Sequence, residues 1–260
     1  MSFLSYDING KGTPIVLLHG YLENRNMWSK TIVQLSNIGK CISIDLPGHG
    51  NSSSMRPMQS LTDIADELHT LFLELNLKNI HLVGHSLGGY VSMAYAKKYP
   101  EMLSTILMCH SSAASDSEKK KVQRDRANKA VAKFKRTYLH NSIPLLFIPE
   151  RQKELQQDIN LMIDEASKMS TEVIQQYLLM MKTRDNNIEL GKRTTIPISY
   201  IIGKHDPLLE SSVLLEEVKT SNASYFLMDN AGHMGHLEDE KEFTKLISQF
   251  ILSQKNGPLK

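Results

Sequence analysis

Cysteine is scarce in this chain of 260 residues: Cys41 and Cys109 are the only two, each inside a short apolar run. They show no CxxC spacing and have no neighbouring His or Cys, which argues against a zinc site or a disulfide framework and for buried, reduced thiols. No apolar run is long enough to span a bilayer. The N-terminal stretch MSFLSYDINGKG lacks a basic segment followed by an apolar one, so it does not read as a signal peptide, and a cytoplasmic location is expected. A surplus of either charge is also missing. Thirty Lys and Arg against 28 Asp and Glu leave +2, too little to indicate nucleic acid or an anionic membrane as a partner. Neither internal repeats nor low-complexity segments occur. What is present is ordinary for a globular protein, with 41% hydrophobic and 22% charged residues.

Short runs of branched apolar residues bounded by turn signals predict buried strands at Pro14–Leu18, Cys41–Ile44, Ile80–Val83 and Thr105–Cys109. Between them, Ile64, Leu68, Leu71, Phe72 and Leu75 recur at helical spacing. They predict a helix over Asp63–Leu75, with Thr62 as its cap. Such alternation predicts a mostly parallel, doubly wound sheet covered by helices on both faces. From Ser111 to about Gly191 the pattern is helical apart from Ile143–Pro149. Strands are expected again at Pro197–Ile202 and Tyr225–Met228, then a closing helix over Lys241–Ser253. The expected organisation is an α/β core of residues 1–110 and 191–260, with a helical cap, 111–190, inserted after the sixth core strand.

The segment NIHLVGHSLGGYVSMAYAKKYP, residues 79–100, joins a strand to a helix through Gly84-His85-Ser86-Leu87-Gly88. A tight strand-to-helix turn strains its central residue and needs small neighbours, because Cβ atoms two positions away would clash. Ser86 would stand free of the backbone, with the Leu87 N–H at a helix N-terminus facing any developing oxyanion. The five-residue pattern alone arises by chance in about one chain of this length in ten, so the flanking strand and helix carry the reading of Ser86 as a nucleophile. A serine hydroxyl needs a base. His233, in DNAGHMGHLEDE, follows the last expected strand on the same sheet edge; His236 is the rival, with packing as its alternative role. An acid must orient the imidazole. Asp206, in IIGKHDPLL, follows the strand before it, although Asp before Pro is also a common turn starter.

With these motifs in order, the chain resembles the α/β-hydrolase superfamily in its capped esterase-like branch. LLHGY at 17–21, DLPGHGNS at 45–52, GHSLGG at 84–89, GKHDP at 203–207 and AGHMGHLED at 231–239 carry the likeness. The resemblance implies a Ser86–His233–Asp206 triad, oxyanion donors at the Tyr21 and Leu87 N–H groups, and structural roles for His19, Gly48, His49 and Gly50. It implies a serine hydrolase of carboxylic esters or thioesters acting through an acyl-enzyme, with no metal or organic cofactor. Carbon–carbon bond hydrolases, lyases and cofactor-free peroxidases of the same fold share the triad, and some members only bind ligands; these readings stay open. Ser86 argues against dehalogenases and epoxide hydrolases, which use aspartate there.

Substrate choice is expected to lie with the cap. Met162, Met169, Met180 and Met181 are flexible side chains suited either to an adaptable pocket or to packing between cap helices. Trp28, Tyr21 and His110 lie near core loops and could border the pocket. The stretch EKKKVQRDRANKAVAKFKR, residues 118–136, is basic. Ala127, Ala130, Val131 and Phe134 form its apolar face, and Lys120, Lys121, Arg124, Lys133 and Arg136 are expected outside. This is either a solvated surface or a docking patch for an anionic acyl carrier.

Overall fold

The computed structural model describes residues 2–53 and 58–255. Seven strands form one sheet: β1 (Tyr6–Asn9), β2 (Pro14–Leu18), β3 (Lys40–Ile44), β4 (Ile80–His85), β5 (Leu103–Cys109), β6 (Ile198–Gly203) and β7 (Ser224–Met228). Their order is β1-β3-β2-β4-β5-β6-β7. Every pairing is parallel except β1 with β3. The antiparallel β1 is a short exposed edge strand, in which Tyr6 and Ile8 alternate with Asp7 and Asn9 over too few residues to stand out in the sequence.

Among the described residues ten α-helices accompany the sheet: α1 (Ser29–Leu35), α2 (Leu61–Glu74), α3 (Leu87–Lys98), α4 (Glu118–Ser142), α5 (Gln156–Lys168), α6 (Thr171–Thr183), α7 (Ile188–Arg193), α8 (Ser211–Ser221), α9 (Gly235–Glu238) and α10 (Glu240–Lys255). Because strand side chains alternate between faces, the apolar runs supply two cores. Ile15, Leu17, Val83, Leu107 and Ile201 pack with Leu35 of α1 and Phe243, Ile247 and Phe250 of α10. Val16, Leu18, Leu82, Ile106 and Ile202 face the other way, onto α2, α3 and α8. Each fully buried Leu, Ile or Phe contributes roughly 1.5–3 kcal/mol to holding these layers together.

Counted along the chain, the helical segment follows β5, the fifth strand, and not the sixth as expected. Residues 111–197 contain α4 to α7 and no strand. The expected break at Ile143–Pro149 is two single turns of 3-10 helix, Pro144–Leu146 and Pro149–Arg151, each opened by a proline. The cap of α2 is Ser60, not Thr62. Ser60 accepts from the Asp63 N–H at 3.3 Å, and Asp63 accepts from the Ser60 N–H at 3.0 Å. This reciprocal box needs an acid three residues after the cap, which Ser60 has and Thr62 lacks. Phe134 departs from helical geometry (φ −145°, ψ 50°) inside α4 and is 64% exposed, so it does not join the buried face given by Val131 and Leu139. No described helix is long and apolar enough to cross a membrane.

Candidate functional site

The turn between β4 and α3 has the geometry its glycines predict. Ser86 has φ 48° and ψ −110°, a strained combination for a residue with a side chain. A Cβ on Gly84 would lie 2.4 Å from the Gly88 carbonyl carbon, so the chain can turn here only without one. Two bonds hold the strained residue from β5 and the loop after it. The Ser86 N–H donates to the Cys109 carbonyl at 2.9 Å, and the Ser111 hydroxyl donates to the Ser86 carbonyl at 2.7 Å.

Parallel strands bring three loops to this edge. Ser86 Oγ lies 2.9 Å from His233 Nε2, and His233 Nδ1 lies 2.8 Å from Asp206 Oδ2. The other Asp206 oxygen accepts from the Leu208 and Leu209 N–H groups at 2.8 and 2.9 Å. Burial would raise this carboxyl, but His233, His110 and the Leu209 N–H outweigh it and keep Asp206 below its ordinary pKa. The His233 loop is pinned by buried Glu238, which accepts from the Gly232 N–H at 2.6 Å and the Ile148 N–H at 2.8 Å. One carboxylate thus fastens the loop after β7 to the helical segment.

His236 does not reach Ser86. It is buried beside Glu23, with Nε2 3.4 Å from Glu23 Oε1, and desolvation lowers its pKa to about 3. Glu23 and His85 form a second buried group that motif reading passes over. Glu23 Oε2 accepts from His85 Nδ1 at 2.7 Å and from the Gly20 N–H at 2.8 Å. His85 Nε2 lies 2.9 Å from the His233 carbonyl oxygen. Both His85 nitrogens therefore face oxygens that only accept, so the ring must donate from both and be an imidazolium. Burial opposes that charge, yet Glu23 outweighs burial and raises the His85 pKa. Burial would raise Glu23 as well; His85, His236 and His19 hold it down at about 2. Glu23, His85 and His236 place ligand-type atoms within 4.8 Å of one another. The bonds above already commit the Glu23 and His85 atoms to an ion pair, so a metal would have to displace it. The sequence signal was Glu23 itself, an acid three residues after the His19-Gly20 turn.

A cavity of about 530 Å³ opens onto Ser86 and His233. Tyr21, Leu178 and Met181 are in its wall. Met162 is half-buried and is not in the wall. Met169 and Met180 are buried in the core contributed by α4 to α6. Trp28 and His110 do not face the cavity: both are fully buried near α10, stacked on Phe243 with ring centroids 6.0 and 5.8 Å away. Trp28 belongs to the core on the α10 side of the sheet, whereas His110 lies beside the site without facing the cavity, its ring centroid 6.3 Å from that of His233 and 5.8 Å from that of His85. Burial pushes His110 well below its ordinary pKa. The Tyr21 and Leu87 N–H groups donate to no acceptor among the described residues. His19 bridges two loops, with Nδ1 2.7 Å from the Gly20 carbonyl oxygen and Nε2 accepting from the Leu46 N–H at 2.9 Å. His49 packs edge-on against Tyr177. Gly48 and Gly50 both have positive φ.

The sequence model for the alpha/beta hydrolase fold matches residues 13–240. The abhydrolase domain-containing protein abhd-5.2 of Caenorhabditis elegans is 24% identical over 280 residues, covering 95% of this chain; this chain spans 60% of that protein's length. Monoacylglycerol lipase ABHD6 of Mus musculus is 26% identical over 271 residues, 95% of this chain and 78% of that protein. A thermophilic esterase from Thermogutta terrifontis, solved with malate bound, superposes with a TM-score of 0.90 at 25% identity, over 96% of this chain and 93% of that one.

Proposed function

Because the chain belongs to the α/β-hydrolase fold family, we propose that it is a serine hydrolase of carboxylic esters or thioesters, with Ser86, His233 and Asp206 as its triad. The observation that carries this reading is the unbroken line from Ser86 Oγ through both His233 nitrogens to Asp206. Relatives named as an esterase and a monoacylglycerol lipase add support for ester substrates.

In this mechanism His233 Nε2 takes the Ser86 proton as Oγ attacks the acyl carbon. Asp206 holds the proton of His233 on Nδ1 and stabilises the imidazolium that forms. The unbonded Tyr21 and Leu87 N–H groups receive the oxyanion. His233 then protonates the leaving alcohol or thiol. The acyl-enzyme between Ser86 Oγ and the acyl carbon is released by water, activated by the same imidazole. The helices of residues 111–190 act as a cap, closing the cavity over Ser86.

Hydrolysis of 4-nitrophenyl esters of increasing acyl length, by wild type and Ser86→Ala in parallel, tests the proposal. We expect covalent labelling by a fluorophosphonate in the wild type only, and a loss of kcat of about a thousandfold or more in the variant. Equal activity in both, or labelling that survives in Ser86→Ala, would overturn it.

A further inference from the structure

The basic start of α4 does not sit as its sequence suggests. Lys120 and Arg124, expected among the exposed residues, line the cavity that contains Ser86 and His233. Two neighbours are paired outward, Lys121 with Glu118 at 2.8 Å and Asp125 with Lys182 at 2.7 Å, while Lys119 joins Lys120 and Arg124 in the cavity wall. Turning inward is favoured by Asp116, a fully buried carboxylate just before the helix, which draws Arg124 toward the core.

The charges at this end of the cavity do not balance. Asp116 Oδ2 accepts from Arg124 Nε at 3.1 Å, and its Oδ1 from Arg184 at 2.5 Å. Arg184 lies 3.9 Å over the ring of Tyr90, itself part of the cavity wall. One carboxylate therefore serves two guanidinium groups, and Lys120 has no ion-pair partner among the described residues. Arg124 is bonded through Nε alone, although its side chain is only 24% exposed. Its terminal nitrogens, a planar fork suited to carboxylate or phosphate oxygens, are left for whatever enters the cavity. Burial and the adjacent guanidiniums hold the Lys120 ammonium below its ordinary pKa, with Asp116 opposing them. Beside Ser86, Asp206 is paired with His233 and Glu23 with His85. Ala127, Leu178 and Met181 add apolar surface to the same cavity wall.

Resting on the serine hydrolase reading above, we propose that the substrate is an ester carrying a carboxylate or phosphate group remote from the scissile bond, bound by Lys120 and Arg124. The anion supplies the charge that the protein withholds, and holding it aligns the acyl carbon on Ser86. The two sources differ in which side of the ester bears the charge: a carboxylate at the far end of the acyl chain, or a phosphate on the alcohol.

The test uses matched pairs. Mono-4-nitrophenyl adipate differs from 4-nitrophenyl hexanoate by a carboxylate in place of the terminal methyl. Butyryl glycerol phosphate differs from glycerol monobutyrate by the phosphate. We expect kcat/KM to favour the anionic member of one pair by about tenfold or more, the size of a charge-assisted hydrogen bond; which pair responds identifies the source. In Lys120→Gln and Arg124→Gln that ratio should fall towards one. Lys120→Glu should reverse the acyl-side preference in favour of 4-nitrophenyl 6-aminohexanoate. Calorimetric binding of monomethyl adipate against methyl hexanoate, and of glycerol phosphate against glycerol, to Ser86→Ala gives a readout independent of turnover. Turnover of neutral esters that depends on Ser86, with no anionic preference in either assay, overturns this proposal and leaves the hydrolase reading standing. A binding preference for the anion without hydrolysis of any ester upholds the anion site and overturns the hydrolase reading.

Discussion

Glu23 and His85 illustrate how much a single buried pair can govern. Glu23 touches the loop after β2 through Gly20, the end of β4 before Ser86 through His85, and His236 after β7. Glu23→Gln would leave the His85 imidazolium buried without its counter-ion. The expected loss is about 3–5 kcal/mol in a urea unfolding titration. The pH dependence follows from the two shifts. Glu23 sits at about 2 against an ordinary 4.5, so its contribution is complete above 4.5 and disappears as pH falls towards 2. His85 is raised from 6.5, so its contribution is complete below 6.5 and is lost as pH climbs through the elevated value. The stability gap between wild type and Glu23→Gln should therefore be widest between about pH 4.5 and 6.5, and urea midpoints measured across pH would reveal a flat gap if the pair were neutral. At a second buried acid, Asp206→Asn should keep the fold yet lower kcat by about a thousandfold to ten-thousandfold. The amide can stabilise the wrong His233 tautomer and no longer balances the imidazolium. Steady-state kinetics beside an unchanged circular dichroism spectrum would check it.

At the scale of elements, strands were the most legible part of the sequence, because a buried parallel strand is an uninterrupted run of branched apolar residues. Pro14–Leu18 agrees with the observed strand at both ends, four of the other expected strands differ by one or two residues at one end, and Pro197–Ile202 is displaced by one residue at each end. Caps and kinks were less legible. Ser60, Thr62 and Asp63 lie within four residues, and the spacing of Ser60 to Asp63, which closes the reciprocal box, decides among them. Since the Ser60 hydroxyl satisfies a helix-end donor, Ser60→Ala should cost about 1 kcal/mol in thermal or urea unfolding, whereas Thr62→Ala should cost clearly less. The inward turn of Arg124 was hidden for the same reason: helical spacing fixes which residues share a face, but the partner that draws a face inward, Asp116, belongs to the preceding loop. The kink at Phe134 leaves no trace in the apolar spacing.

Across the whole molecule, one sheet separates two cores, and the candidate site lies where its parallel strands end. The central strands β2, β4 and β5 have buried side chains on both faces, while β1 and the start of β7 are exposed. Native-state hydrogen exchange should therefore be slowest in β4 and β5, opening only with global unfolding, and fastest in β1. Protection in β1 equal to that of β4 would contradict this layering. Ile247→Ala, which empties space beneath the sheet in α10, should lower global stability by about 2–5 kcal/mol and slow exchange nowhere.

The sequence by itself determined the strand-helix alternation, the glycine-bounded turn around Ser86 and the order Ser86, Asp206, His233. Each is local: apolar period, Cβ clearance and side-chain chemistry all act over a few residues. The sequence favoured His233 over His236 as the partner of Ser86, but only the tertiary structure showed what His236 does instead, buried beside Glu23. It alone showed that Trp28 packs beneath the sheet and His110 beside His233, that His85 pairs with Glu23, and that the cations of α4 line a cavity. Those outcomes depend on which distant carboxylate, ring or carbonyl lies opposite each side chain, and residues far apart in the chain meet only once the sheet has closed its loops onto one edge.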